Sequence, residues 1–316
     1  MNRKKRTLVF AASEATPFAK TGGLGDVVGA LPRALAQWGH RVAVLLPGHR
    51  MVRQRGFAPD NTGHQVAIRL GDRDLRAELS HLRRDSIDVW FIDQPELFDR
   101  PGLYGVDGRD FPDNGERYGF FCHAVLAALR TLNLQPDILH VHDWQTGLLP
   151  LLLHLEKKRD SFFSKTGSLL TIHNLAYQGL FPSQLVATLH LPQELFCMEG
   201  FEYWGKLSFL KAGIQFADRI NTVSPGYAAE ILTSEYGCGF EGILQEKRAR
   251  LCGILNGIDP DDWDPAVDPC LPANYDSSDP AGKARCKSAL QQELGLAVDS
   301  HLPLLAMVTR IDRQKG

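Results

Sequence analysis

Lys20 stands just ahead of a glycine pair, in the stretch "PFAKTGGLGDVVGALPRAL", and Asp26 follows that pair closely. Glycines between a strand and a helix bring backbone N–H groups to a helix N-terminus, where an anion such as a phosphate binds readily. A lysine beside them adds a cation. The pattern is not a P-loop, which places its lysine after the second glycine. Gly23, Gly25 and Gly29 fit the dinucleotide fingerprint only loosely, with one residue too many before the last glycine. The next strand ends in "PGHR" rather than in an acid that could bind a ribose, although His49 and Arg50 could serve the extra phosphate of NADP. Tight packing alone also explains a glycine-rich turn, but it leaves Lys20 unexplained. Asp26 is placed either to bind or to cap the helix.

Two further stretches place chemistry at the ends of strands. "HVHDW" holds His140, His142 and Asp143. Two residues apart in a strand, both histidines face one side. A metal would need another ligand cluster with suitable spacing, and the sequence offers none. His140 reads as a core residue and Asp143, at the strand end, as a binding residue. "TIHNLAYQG" sets His173 and Asn174 beside the aromatic Tyr177. Hydrogen-bonding groups next to an aromatic face suit a sugar. Near the C-terminus, "VTRIDRQKG" offers Arg310, Arg313 and Lys315, cations of the kind a diphosphate needs. The D-x-D pairs Asp72/Asp74 and Asp262/Asp264 fall in turn-like segments and read as solvated. No G-x-S-x-G elbow occurs, so an esterase has no support.

These residues need a scaffold that gathers strand ends. Thr7 to Ala12 is a continuous apolar run, as in a strand buried on both faces. The spacing predicts helices over Asp26–Trp38, Glu116–Leu132, Gln145–Lys157 and Tyr203–Ala217, and another opening with Ser224 as cap and Pro225 in its first turn. "RVAVLL", "PDILHVHDW", "SLLTIHNL", "DRINTVSPG" and "RLCGILNGID" carry the strands between them, and Gln65–Ile92 reads as a hairpin or meander. This alternation predicts an α/β fold with a doubly wound parallel sheet, and such sheets bind ligands at the C-terminal ends of their strands. The Pro-, Asp- and Ser-rich stretch Asp259–Pro280 reads as a linker, followed by a helix at Lys283–Leu294 and a fresh strand near the end. We expect a Rossmann-like domain over 1–260, a linker and helix over 261–300, and the start of a second such domain over 301–316.

Composition narrows the function classes. Of 316 residues, 44% are hydrophobic and 23% charged, with a formal net charge of −2, so bulk basicity does not argue for nucleic acid. The six cysteines are scattered without a C-x-x-C, which fits a reducing compartment. No apolar stretch approaches the ~18 residues of a membrane helix. A cytoplasmic protein is expected.

Together "KTGGLGDVVGALPRAL", "HVHDWQTGLLP", "TIHNLAYQG", "LKAGIQFADRINTVSPGYAAEI", "GILNGID" and "TRIDRQKG" resemble the bacterial glycogen synthase and plant starch synthase family. The resemblance runs from Ala12 to the last residue. It implies the GT-B fold, two Rossmann-like domains across a cleft. It also implies transfer of glucose from ADP-glucose to the non-reducing end of an α-1,4-glucan, with retention and without metal or other cofactor. Family members are much longer, so the chain reads as the N-terminal domain with the first strand and loop of the C-terminal one, inactive by itself. An NADP-dependent oxidoreductase and a non-catalytic glucan-binding module are the alternatives.

The resemblance also assigns residues. It makes Lys20 a donor contact, matches Asp26 and Asp143 to family aspartates, and sets His173, with Asn174, near the transferred glucose. Asn256 matches the asparagine of L-N-G. Arg310 and Lys315 are expected on the ADP phosphates, where fixed positive charge meets developing negative charge. Phe111 departs from the family's Y-x-D-N tyrosine. The family's C-terminal E-x-C-G-L carboxylate is not in the chain.

Overall fold

The computed structural model describes residues 4–309 and Ile311. It divides into two compact units, Met1–Gly257 and Ile258–Gly316.

The first unit is built on one nine-stranded sheet. From edge to edge its strands are Leu251–Gly253, Arg219–Thr222, Gly167–Ile172, Ile138–His142, Thr7–Ala11, Arg41–Pro47, Ile87–Asp93, Arg73–Arg84 and Asp60–Leu70. The pairs from Leu251–Gly253 across to Ile87–Asp93 are all parallel, and the last two strands join antiparallel as a hairpin. That hairpin is the meander read at Gln65–Ile92. The parallel strands share one direction, so residues 12–26, 143–146, 173–179 and 254–257 all leave the same end of the sheet.

The sheet is covered on both faces because its strands are apolar on both. Val9 and Ala11 enter one core cluster, while Leu8, Phe10 and Ala12 enter the other, following the alternation of side chains along a strand. The helix Asn114–Thr131 lies on the first face and buries nearly its whole circumference, as an all-round apolar helix must. Leu24 and Val28 of the helix Gly23–Gln37 pack on the other.

Three helix starts differ from the sequence reading. The first helix begins at Gly23 rather than Asp26, with Gly22 at its cap and Asp26 already inside the first turn. The segment read as helix from Gln145 opens with a short 3-10 turn, Trp144–Thr146, and becomes α-helical at Leu149. Tyr203–Ala217 is helical only over Phe209–Phe216. Its first part is a hairpin, Glu202–Tyr203 against Lys206–Ser208, whose turn uses positive φ at Trp204 and Gly205. Such a turn breaks the helical path, and Ser208 then caps the new helix by accepting from Lys211 N at 3.1 Å. Ser224 caps the helix Pro225–Glu230 as expected, accepting from Tyr227 N at 2.9 Å.

The second unit has a helix at Ala281–Glu293, close to the expected span. Its aspartates make local turns: Asp264, Asp268 and Asp276 each accept the backbone N–H two residues on. Residues 303–308, read as a strand, are not one, and Leu305, Met307 and Val308 are exposed. A strand needs a neighbour for its backbone groups, and among the described residues this unit has no other strand.

Candidate active site

The glycine-rich turn is folded around a carboxylate of its own chain. Glu14, just past the first strand, is almost fully buried. Its Oε2 accepts the backbone N–H of Thr21 and, at 3.3 Å, that of Gly22. Thr21 Oγ1 donates to Oε1 at 3.0 Å, and the Tyr104 hydroxyl donates to the same oxygen at 2.9 Å. The Thr21 and Gly22 N–H groups of this turn are therefore occupied by a carboxylate of the same chain. The glycines serve that closure. A Cβ on Gly25 would stand 3.3 Å from Glu14 Oε2, and one on Gly29 would come within 2.7 Å of the Thr16 carbonyl oxygen.

With the turn anchored on Glu14, Lys20 projects from its rim. Its Nζ lies 2.6 Å from Asp26 Oδ1, which also accepts from Thr16 Oγ1 at 3.3 Å. Asp26 thus pairs with Lys20, and its side chain makes no cap bond to the helix. Both side chains of the pair are substantially exposed, at 38% and 51%.

Asp143 and His173 come together at the neighbouring strand ends. Asp143 has φ 52 and ψ −164, a backbone conformation that is essentially glycine's and costs about 1–3 kcal/mol. Its surroundings impose it. Asp143 N donates to the Thr171 carbonyl at 2.9 Å, and its Oδ1 accepts from His173 N at 2.7 Å and Asn174 N at 3.4 Å. Asp143 therefore braces the turn that carries His173. Burial raises its carboxyl to about 7, against the pull of those two N–H groups, and the nearby Glu14 charge adds to the rise. Glu14 is thus close enough to act electrostatically on the second group of site residues.

The histidines form a stack beneath the site. The rings of His140 and His142 lie 4.3 Å apart and nearly parallel, and His142 is 5.3 Å from His173. His142 Nδ1 stands 3.0 Å from His173 Nε2, and His140 Nε2 is 2.6 Å from Thr171 Oγ1. Burial lowers His140 to about 3 and His173 to about 4, and it drives His142 well below the usual imidazole value. All three rings are neutral at neutral pH. Half-buried at the top of the stack, His173 offers a neutral hydrogen-bonding ring rather than a charge. Asn174 Oδ1 accepts from Ala176 N at 3.0 Å, turning the chain so that Tyr177 is exposed beside it.

Not every expected residue joins this group. Asn256 is exposed in the loop past the edge strand Leu251–Gly253. Arg310, Arg313 and Lys315 lie outside the described residues. Phe111 lies against the buried guanidinium of Arg117, with 5.0 Å between that group and the ring centroid. The phenol that reaches the turn is Tyr104, which also meets Ser13 Oγ at 2.7 Å. Glu14 and Tyr104 were not singled out in the sequence. An acid just before a turn rich in N–H groups was the available signal for Glu14; Tyr104 left none, because it arrives from about ninety residues away.

The NADP reading meets a specific obstacle. His49 is buried, with Nε2 3.0 Å from the Ser13 carbonyl oxygen, and burial lowers it to about 3. Arg50 is engaged by Asp99, at 2.8 Å to Oδ1 and 2.8 Å to the backbone oxygen. Neither stands ready for a ribose phosphate.

Comparison with known proteins is decisive at this point. The starch synthase catalytic domain family matches residues 7–246. The chain belongs to the starch synthase catalytic domain family. It is 49% identical over 309 residues to a glycogen synthase of Syntrophotalea carbinolica, covering 98% of this chain and 64% of that protein. Similarity to a glycogen synthase of Anaeromyxobacter dehalogenans (strain 2CP-C) is 49% over 317 residues, again covering 64% of the relative. Among solved structures, it is similar to the catalytic domain of starch synthase IV from Arabidopsis thaliana bound to ADP and acarbose. That likeness has a TM-score of 0.80 at 31% identity, over 93% of this chain and 60% of the other. The α/β fold with its large parallel sheet is thus that of a GT-B starch synthase domain. The chain spans about 64% of the length of these curated relatives.

Proposed function

We propose that this chain is the donor- and acceptor-facing N-terminal part of a glycogen synthase. On this reading the whole protein transfers glucose from ADP-glucose to the non-reducing end of an α-1,4-glucan, with retention and without a metal. The observation that carries the reading is the placement, in a member of this family, of Lys20 and the neutral His173 at one end of one sheet. A neutral imidazole can hydrogen-bond a sugar hydroxyl without competing for the donor's phosphates. Lys20 supplies a cation at the rim, and its hold on Asp26 is exposed and so easily exchanged for a phosphate. Arg310 and Lys315 would supply the rest of the positive charge. A cytoplasmic location belongs to the same proposal; among the described residues no helix is long and apolar enough to cross a membrane.

The test is transfer of labelled glucose to glycogen by the full-length protein, with ADP-glucose and UDP-glucose compared. We expect ADP-glucose to be used and His173→Ala to lower the rate about a hundredfold, the scale of losing a well-placed polar contact in a transition state. The 316-residue chain alone is expected to turn over little or no donor. Normal rates in His173→Ala would overturn the site, and tight NADP binding would overturn the function.

A further inference from the structure

His142 contacts nothing outside the core, yet its ring meets the one histidine that faces the site. The neutral imidazoles of His142 and His173 share one hydrogen bond, Nδ1 to Nε2 at 3.0 Å, so one nitrogen must carry the proton and the other must not. The second nitrogen of His142 decides which. Its Nε2 is buried with no hydrogen-bond partner. The ring is fully buried and lies between Phe10, at 5.9 Å, and His140, at 4.3 Å, so no solvent reaches it. A proton on Nε2 would strand an N–H donor in the core, and stranded buried donors are rarer than under-used acceptors. The proton therefore belongs on Nδ1, from which it is donated to His173.

We propose that His142 is a positioning residue that fixes the tautomer of His173. Because His173 Nε2 is made the acceptor, its own proton sits on Nδ1, the other ring nitrogen. The ring then presents one fixed donor to a ligand oxygen instead of a mixture of donor and acceptor. The neighbouring stack is ordered in the same way. Thr171 Oγ1 donates its single proton to Asn221 Oδ1 at 2.6 Å, so it must accept from His140 Nε2. His140 and His142 thus carry their protons on opposite nitrogens, the first dictated by Thr171 on the adjacent strand and the second by its own buried Nε2, which has no partner.

The test is nitrogen NMR of the side-chain imidazoles in the full chain, labelled at histidine, with His142→Phe and His142→Asn. Phe keeps a flat ring in the stack but cannot donate; the Asn amide nitrogen can sit where Nδ1 sat. In the unsubstituted protein, both His142 and His173 should be protonated on Nδ1, with His173 Nε2 bare. His142→Phe should turn His173 into a mixture of tautomers, and His142→Asn should keep the single one. In the full-length protein, His142→Phe should lower kcat/KM for glucose transfer about tenfold, the rate equivalent of one neutral hydrogen bond, with His142→Asn restoring most of it. A proton on His142 Nε2 overturns the proposal, and so does an unchanged His173 tautomer in His142→Phe. Should His142→Phe fail to fold, the unsubstituted and His142→Asn spectra decide. Only the rate comparison rests on the proposed transfer reaction. The tautomers are read without substrate, so absence of glucose transfer would sink the function and leave this proposal to its own spectra.

Discussion

Glu14 Oε2 accepts the backbone N–H of Thr21, and through this bond an acid at the end of a strand holds the glycine-rich turn closed. Two of the N–H groups that such a turn could offer a phosphate are taken up from inside. Its cation, Lys20, is left on the rim, exposed and paired with Asp26. The turn thus acts as a mount for one lysine, and the position of Lys20 depends on a carboxylate that does not touch it.

Replacing that carboxylate should loosen the mount. In Glu14→Ala the N–H groups of Thr21 and Gly22 and the Tyr104 hydroxyl all lose their acceptor. Hydrogen bonds to a charged group contribute about 1.5–3 kcal/mol each, but water can enter this half-buried turn and recover part of that. We expect a net loss of about 2–3 kcal/mol in urea unfolding. Glu14→Gln, which keeps one acceptor oxygen, should lose less. Equal stability of all three proteins would show that the turn does not depend on Glu14.

Lys20→Met should behave in the opposite way. The Lys20–Asp26 pair is exposed on both sides, and such pairs contribute about 0–1 kcal/mol. The unfolding midpoint should hardly move. If Lys20 meets the donor's phosphates, glucose transfer by the full-length protein should fall about a hundredfold. The comparison of melting curve and rate separates the two roles: a large stability loss with a normal rate would make Lys20 structural.

The strand ends were legible because each motif follows an apolar run, and parallel strands deliver such ends to one place. The placement of His173, Asn174 and Asp143 at neighbouring strand ends was legible in this way, although the Asp143 carboxylate turns out to brace the His173 turn. Glu14 was hidden because an acid after a strand reads like any polar loop residue until its partners are seen. The hairpin at Glu202–Ser208 was hidden by apolar spacing that serves helix and strand alike. Only the positive φ of Trp204 and Gly205 separates the two, and Trp204 is no residue that announces such a turn. The NADP alternative failed on burial of His49, which the sequence does not display.

The glycines make separable predictions. Gly29 lies within the first helix, where alanine would gain up to about 1 kcal/mol from propensity. Its Cβ, however, would stand 2.7 Å from the Thr16 carbonyl oxygen, and backbone cannot swing aside as a side chain can. The clash should win, with a net loss of about 1–3 kcal/mol. Gly23, in the same helix, has nothing within 4 Å of its would-be Cβ. Gly23→Ala should be neutral or stabilising by about 0.5 kcal/mol. Urea midpoints of the two variants should move in opposite directions; parallel shifts would contradict the packing drawn here.

The buried histidines predict how the fold responds to acid. His49 and His140 are lowered to about 3, His173 to about 4, and His142 well below the usual imidazole value, all chiefly by burial. A group lowered in the fold contributes stability above its unfolded value that is lost as pH falls through the window to its folded one. The window opens at 6.5 and runs down to about 4 for His173 and about 3 for His49 and His140. Asp143 has the opposite sign. Raised from 3.8 to about 7, it favours the fold at low pH and opposes it as pH rises through 7. His123 and His154 are lowered by burial as well, so between pH 4 and 6.5 the imidazoles outnumber the carboxyl of Asp143, the chain takes up protons on unfolding, and stability falls with acid. Asp143→Asn keeps an oxygen for the His173 N–H and removes the opposing carboxyl. Its melting temperature relative to the unsubstituted protein should climb from pH 4 to 7 and level off above, while its own loss in acid becomes steeper. A difference between the two proteins that stays flat across this range would show that Asp143 does not carry a raised pKa.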